Sequence, residues 1–353
     1  MTLKAKLIAS IGSSGTIPVS DYMTACLFDR EFGYYQRRDA IGAQGAFTTA
    51  PEISQMFGEL IGIFLVNSWR EQGSPRRFTL AELGPGRATM MDDILRVAGR
   101  FESFLSAAEL IMVEQSPALR DVQRQKLSGH HPQWIDTLDM LPEQPLFLVA
   151  NEFFDALPIR QFRRRRCSWK EIHVAADGDA LEFQEVDSEG DSALRQRHSD
   201  TRPGDIVEIR HAAIPLLEQI SSRIRQFGGV ALLSDYGGER SWGDTLQAVS
   251  NHHPVHPLAE PGESDISAHV DFGALRNAVG DGVSTALLPQ GVWLEGMGLV
   301  ERARILAERL EGEALRQHIA AQRRLTHPAE MGELYKVLLI RPSHAPLPPG
   351  FEN

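Results

Sequence analysis

Apolar residues recur three and four positions apart over 19–28 and 54–69, the spacing of helices that bury one face. A glycine-rich loop over 33–50 separates the two, and Pro51 and Glu52 stand where the first turn of the second helix is predicted. From about residue 75 the rhythm changes to short apolar runs alternating with helical spacing. Strands are predicted over 78–83, 110–114, 146–150 and 229–236, with a weaker one over 133–138 and two more near 283–288 and 333–340. Helices are predicted over 89–97, 116–127, 212–227 and 301–310. Strands separated by helices predict an α/β fold: a doubly wound, mostly parallel sheet built from right-handed crossovers. Two stretches break the rhythm. Residues 159–204 read as short amphipathic strands with turns such as Asp177-Gly178-Asp179, and residues 237–282 are rich in loops, Gly, Pro and His. The predicted organisation is an N-terminal helical cap over 1–70 and a core over 71–353. The core carries a β insertion at about 159–204 and a loop-rich lid at about 237–282.

Composition narrows the chemistry. The chain has 353 residues, 42% hydrophobic and 24% charged, enough for a sizeable buried core and ordinary for a globular protein. A net charge of −11 disfavours a general nucleic-acid binder, and no run approaches the ~20 apolar residues of a membrane span. Two cysteines, Cys26 and Cys167, cannot build a disulfide framework or a multi-thiolate zinc site, which points to a reducing compartment. Lys4 and Lys6 precede only the short apolar run Leu7-Ile8-Ala9, too little for a signal peptide, so a bacterial cytoplasmic protein is the expectation.

The candidate chemistry gathers at strand ends, where doubly wound sheets bind ligands. The first parallel strand ends in Glu82-Leu83-Gly84-Pro85-Gly86. A dinucleotide loop needs a third glycine, where Thr89 stands, and its pyrophosphate would be repelled by Glu82. S-adenosylmethionine carries a sulfonium and an ammonium and no phosphate, so a carboxylate suits it; a plain structural turn also fits the loop. Glu114 ends the second strand and can accept both ribose hydroxyls through its two oxygens. Asp136 ends the third, placed for the adenine edge, although acids are favoured at helix starts in any case. The fourth strand runs into Asn151-Glu152-Phe153-Phe154-Asp155-Ala156-Leu157-Pro158, with Asn151 on the cofactor side. Glu152 and Asp155 can hold a cationic nucleophile such as a guanidinium by a charge-assisted fork, the alternative being a loop stabilised by side-chain turns. Glu52 is a third catalytic candidate, supplied from the N-terminal part, and Asp235 and Tyr236 can line the same cleft. The four arginines 163–166 read as a solvated strand edge, and His252, His253 and His256 with Asp265 lack metal-ligand spacing.

Several segments resemble the MidA family, bacterial and mitochondrial proteins that include an assembly factor of respiratory complex I. They are Phe32-Gly33-Tyr34-Tyr35, residues 47–59 (FTTAPEISQMFGE), Glu82-Leu83-Gly84-Pro85-Gly86-Arg87, residues 151–158, Asp235-Tyr236-Gly237, residues 243–248 (GDTLQA) and Ala268-His269-Val270-Asp271-Phe272. The resemblance implies a seven-stranded class I methyltransferase fold with S-adenosyl-L-methionine as cofactor. It also implies symmetric dimethylation of an arginine on a complex I subunit, hence a protein partner carrying a basic segment. The chain departs from the family in having Ala46 where an Asp is usual and Ala88 where a Gly is usual. Ala46 motivates a second expectation, a non-catalytic assembly or binding protein that keeps the fold. Oligomeric state is left open, a homodimer included.

Overall fold

The structure is a computed structural model that describes residues 2–36, 48–188, 190–197 and 200–352. Ala46 and Phe47 lie outside the described residues. The chain divides into two compact units. A sheet unit holds Thr48–Phe153, Leu216–Gly238 and Phe272–Asn353; a second unit holds Met1–Phe47, Phe154–Pro215 and Glu239–Asp271.

The sheet unit contains seven strands: β1 (Phe78–Leu83), β2 (Ala108–Val113), β3 (Gln133–Ile135), β4 (Leu146–Asn151), β5 (Gly229–Gly238), β6 (Val283–Pro289) and β7 (Tyr335–Pro342). Their spatial order is β6-β7-β5-β4-β1-β2-β3. The run from β5 to β3 is parallel, with Leu80 opposite Phe147 and Val149 opposite Leu232. β7 is antiparallel to both its neighbours. This is the mostly parallel, seven-stranded sheet of the expected methyltransferase-like fold. β1 is buried along its whole length, as a strand covered on both faces must be.

Helix α1 (Gln55–Glu71), α2 (Thr89–Ala98) and α3 (Pro117–Lys126) belong to this unit. Phe57 and Phe64 of α1 enter one core with Phe78, Phe147 and Trp293, in which the Phe78 and Phe147 rings lie 4.9 Å apart. Pro51 and Glu52 do not open α1. They sit in a separate short helix, Ala50–Ile53, because Ser54 turns extended and its hydroxyl caps α1 by accepting from Met56 N at 3.2 Å. After β6 come three helices, Gln290–Gly296, Leu299–Ala307 and Gly312–Thr326, of which the sequence predicts only the middle one. Glycine hides the first of them. A Cβ at Gly291 would stand 2.4 Å from Thr326 O, so a helix-weakening residue is required there for close packing.

In the second unit, helices Leu3–Ser14 and Val19–Phe28 share a core with Val174 and Ile266. Strand Trp169–Asp177 pairs with Ile17–Pro18, Arg160–Arg164 and Ala180–Asp187, the last through the anticipated turn, where Gly178 has φ +56°. Gln247–Ser250, His253–Val255 and Asp265–Ser267 form a small separate sheet. The unit boundary falls between Phe47 and Thr48 rather than near residue 70. Helix α1 therefore groups with the parallel sheet, and the first two helices group with residues 154–215 and 239–271. The arginine run is solvated only in its second half: Arg165 and Arg166 are exposed beyond the strand end, while Arg163 and Arg164 are not at an edge. Strand Arg160–Arg164 lies between two others, Arg164 is buried, and Arg163 Nε meets Glu185 at 2.8 Å. Among the described residues, no helix is long and apolar enough to cross a membrane.

Candidate active site

The loop after β1 turns through left-handed backbone at Gly84 (φ +57°), Gly86 (φ +52°) and Ala88 (φ +59°). Glycine is required at the first for a second reason: a Cβ there would lie 2.7 Å from the Phe153 ring. Ala88, the departure from the family's glycine, is fully buried and adopts the conformation that a glycine takes without strain.

Glu82 faces the apolar interior near the carboxyl end of β1, beside Met112 and Val149 on the flanking strands. Burial alone pushes its carboxyl well above the usual carboxylate range. Its Oε2 is buried with no hydrogen-bond partner among the described residues, and the same holds for Asn151 Oδ1 at the end of β4. Asn151 Oδ1 accepts, and Glu82 accepts once a neighbouring cation favours its charged form, so both fit a ligand bearing an ammonium.

Glu114 follows β2. Its Oε1 accepts from Ser116 N at 2.8 Å and its Oε2 from Gln123 Nε2 at 3.2 Å. Burial raises its carboxyl, and these two donors and Arg120 pull it back toward the charged form. Asp136, after β3, is exposed and paired with Arg120 Nη2 at 2.6 Å. Arg120 Nε also donates to Glu114 O at 2.7 Å, so one guanidinium bridges the two strand ends.

Glu152 has φ +50°, a conformation uncommon for a non-glycine side chain and held only where its surroundings demand it. The surroundings are specific. Glu152 Oε1 accepts from Ala50 N at 3.0 Å and Asn151 Nδ2 at 2.9 Å, Tyr335 OH donates to Oε2 at 3.5 Å, and Glu152 N donates to Ser234 O at 2.9 Å. Glu52 lies on the same short helix as Ala50, and its Oε1 accepts from Thr89 Oγ1 at 2.7 Å. The structure thus brings Glu82, Gly84, Gly86, Glu114, Asn151, Glu152 and Glu52 into one unit, at the carboxyl ends of β1, β2 and β4 and on the segment bonded to them. Sequence reasoning missed Gln123 and Tyr335. Neither carries a motif signal, and each is recognised only by what its side chain reaches.

Asp155 belongs to the second unit. It is buried, and its carbonyl accepts from Ala268 N at 3.1 Å and Arg210 Nη2 at 3.3 Å. Its charge, after burial, is what lifts the Asp265 carboxyl to about 7, and Tyr35 OH donates to Asp265 Oδ1 at 3.0 Å. A carboxyl raised from 3.8 to about 7 contributes stability that is complete below about pH 4 and lost as pH rises through 7. Asp265→Asn, which still accepts from Tyr35, is therefore expected to melt above the wild type at pH 8. The gain should be about 2–4 °C per kcal/mol recovered and should shrink toward pH 5. Melting curves at the two pH values decide it; equal shifts at both would contradict a titrating Asp265.

The chain is similar to proteins of known chemistry. Residues 60–288 match the model of a family of S-adenosyl-L-methionine-dependent methyltransferases. The human "Protein arginine methyltransferase NDUFAF7, mitochondrial" is 34% identical over 365 residues, 95% of this chain and 82% of the relative. The Drosophila melanogaster homologue is 35% identical over 378 residues, covering 97% and 85%. A crystal structure from Burkholderia thailandensis, bound to S-adenosyl-homocysteine, superposes with TM-score 0.85 at 25% identity, covering 99% of this chain and 94% of that one.

Proposed function

The chain belongs to this family of S-adenosyl-L-methionine-dependent methyltransferases, and from that premise we propose that it methylates an arginine side chain of a partner protein. The observation that carries the reading is Glu152: a carboxylate kept in a strained left-handed backbone at the end of β4 and tied by Ala50, Asn151 and Tyr335. Such a group is pre-aimed, and preorganised charge acts in the transition state without reorganising. S-adenosyl-L-methionine, when bound, supplies a methyl group activated on a sulfonium. On the protein's side, Glu82 and Asn151 offer acceptors to the ammonium end, Gly84 and Gly86 let the loop backbone come close, and Glu114 takes the ribose hydroxyls. Asp136, braced by Arg120, would take the adenine.

A guanidinium is charged throughout the accessible pH range and is a poor nucleophile until it is oriented and its charge localised. Glu152 is assigned that task, with Glu52 of the same unit as a supporting carboxylate. A net charge of −11 favours the approach of a basic segment. The named relatives support arginine as the acceptor. Symmetric dimethylation and a complex I subunit as target are carried over from the family resemblance as part of this proposal. Two cysteines are too few for a disulfide framework, and on that ground we propose a bacterial cytoplasmic location.

The test is transfer of a tritiated methyl group from the cofactor to lysate of a deletion strain, followed by mass spectrometry of the labelled band. Dimethylarginine with the symmetric fragment pattern is expected. Label on lysine or on small molecules would overturn the acceptor. Tight cofactor binding without any transfer would favour the non-catalytic assembly reading instead.

A further inference from the structure

Gln123 lies on α3, fully buried, and no role assigned so far uses it. Its amide spends its hydrogen-bonding groups on three separate segments. Nε2 donates to Gly86 O at 2.8 Å in the loop after β1 and to Glu114 Oε2 at 3.2 Å after β2, and Oε1 accepts from Trp134 Nε1 at 2.7 Å in β3. The indole N–H can only donate, so it fixes which end of the amide faces β3 and turns both N–H groups toward the loop and the carboxylate. With Ser116 N on Oε1 and Gln123 on Oε2, the Glu114 carboxylate is held at both oxygens. Each oxygen keeps a lone pair for a further donor.

We propose that Gln123 is a positioning residue that locks Glu114 for the ribose hydroxyls and thereby sets the preference of the site for a ribonucleoside over a deoxyribonucleoside. The inference rests on the assignment of Glu114 to the ribose. Holding a carboxylate in place lets it meet two hydroxyls without the ordering cost that a free rotor bears on binding. A Gln123 that merely filled space would affect both nucleosides alike, whereas a positioning role acts only on the ligand that has the hydroxyl.

The test measures calorimetric affinities for S-adenosyl-homocysteine and its 2′-deoxy counterpart in the wild type, Gln123→Met and Trp134→Phe. Gln123→Met keeps the volume and removes all three bonds; Trp134→Phe releases the amide from its fixed orientation. The wild type is expected to prefer the ribose ligand by about tenfold or more, the scale of one hydrogen bond to a charged group. In Gln123→Met the preference should collapse below about threefold, with affinity for the deoxy ligand nearly unchanged, and in Trp134→Phe it should fall at least about threefold. A wild type with no preference would remove Glu114 from the ribose and the inference with it. A wild type that discriminates beside variants that discriminate equally would overturn the role of Gln123 alone. Should Gln123→Met not fold, Trp134→Phe decides by the same criterion.

Discussion

Glu152→Gln is expected to lower methyl transfer by ~100-fold or more while leaving the affinity for S-adenosyl-homocysteine within about threefold of the wild type. The substitution keeps the shape of the side chain. Its amide oxygen can still accept from Ala50 N and Asn151 Nδ2, the two donors that hold Oε1 at 3.0 and 2.9 Å. Its NH₂ can donate to the Tyr335 hydroxyl, so the left-handed turn at φ +50° keeps its supports. What is lost is the negative charge, and with it the charge-assisted grip on a guanidinium, which is worth most where water is excluded. Single-turnover transfer to an arginine-bearing substrate, paired with calorimetry on the cofactor product, separates the two effects. Activity retained within threefold would take Glu152 out of the reaction, and a matching loss of affinity would make it a cofactor ligand instead.

Glu82→Gln should act in the opposite sense on stability and on binding. Burial raises the Glu82 carboxyl well above the usual range, because the charged form is disfavoured where water is excluded. A raised folded pKa contributes stability that is fully present below the ordinary carboxylate value, about 4.3, and lost as pH rises through the folded value. Glutamine never ionises. The variant should therefore melt above the wild type at pH 8, by about 2–4 °C for each kcal/mol of penalty removed, with a smaller gap at pH 5. Binding a cation beside Glu82 draws the carboxyl into its charged form, so the wild type should release protons when it takes up the cofactor. The variant should release fewer and bind ~10–100-fold more weakly, the range of a lost charge-assisted hydrogen bond. Calorimetry in two buffers of different ionisation enthalpy reads both quantities. Equal proton release and equal affinity in the two proteins would show that Glu82 does not face the cofactor.

Much of this site could be read from residue order because its parts sit at element ends, where sequence patterns are sharpest. The apolar run of β1 stops at a glycine pair, and β2 stops at an acid followed by the Ser116 cap and Pro117 of α3. The family segments acquire physical reasons in the structure. Gly33 is needed because a Cβ there would stand 2.5 Å from Asp29 O. Tyr35 holds Asp265, and Phe153 presses its ring against the space that Gly84 leaves open. Glu152 and Asp155, read as one fork three residues apart, are assigned to different units, because the boundary between them falls at Phe153 and Phe154. Spacing along the chain carries no information about such a boundary.

The hydrophobic alternation alone determined the seven strands, their mostly parallel arrangement and the acids near their ends, since each of these follows from local periodicity and from where an apolar run must stop. Tertiary structure alone decided which of those acids are buried, which are braced and by what. Gln123 reaches Gly86, 37 positions away, and Glu152 is tied to residues 102 and 183 positions away. Burial and hydrogen bonding at such separations depend on how helices pack over the sheet, and no window of sequence contains both partners. Charge state and aim, the properties on which the chemistry depends, are therefore set by the folded chain.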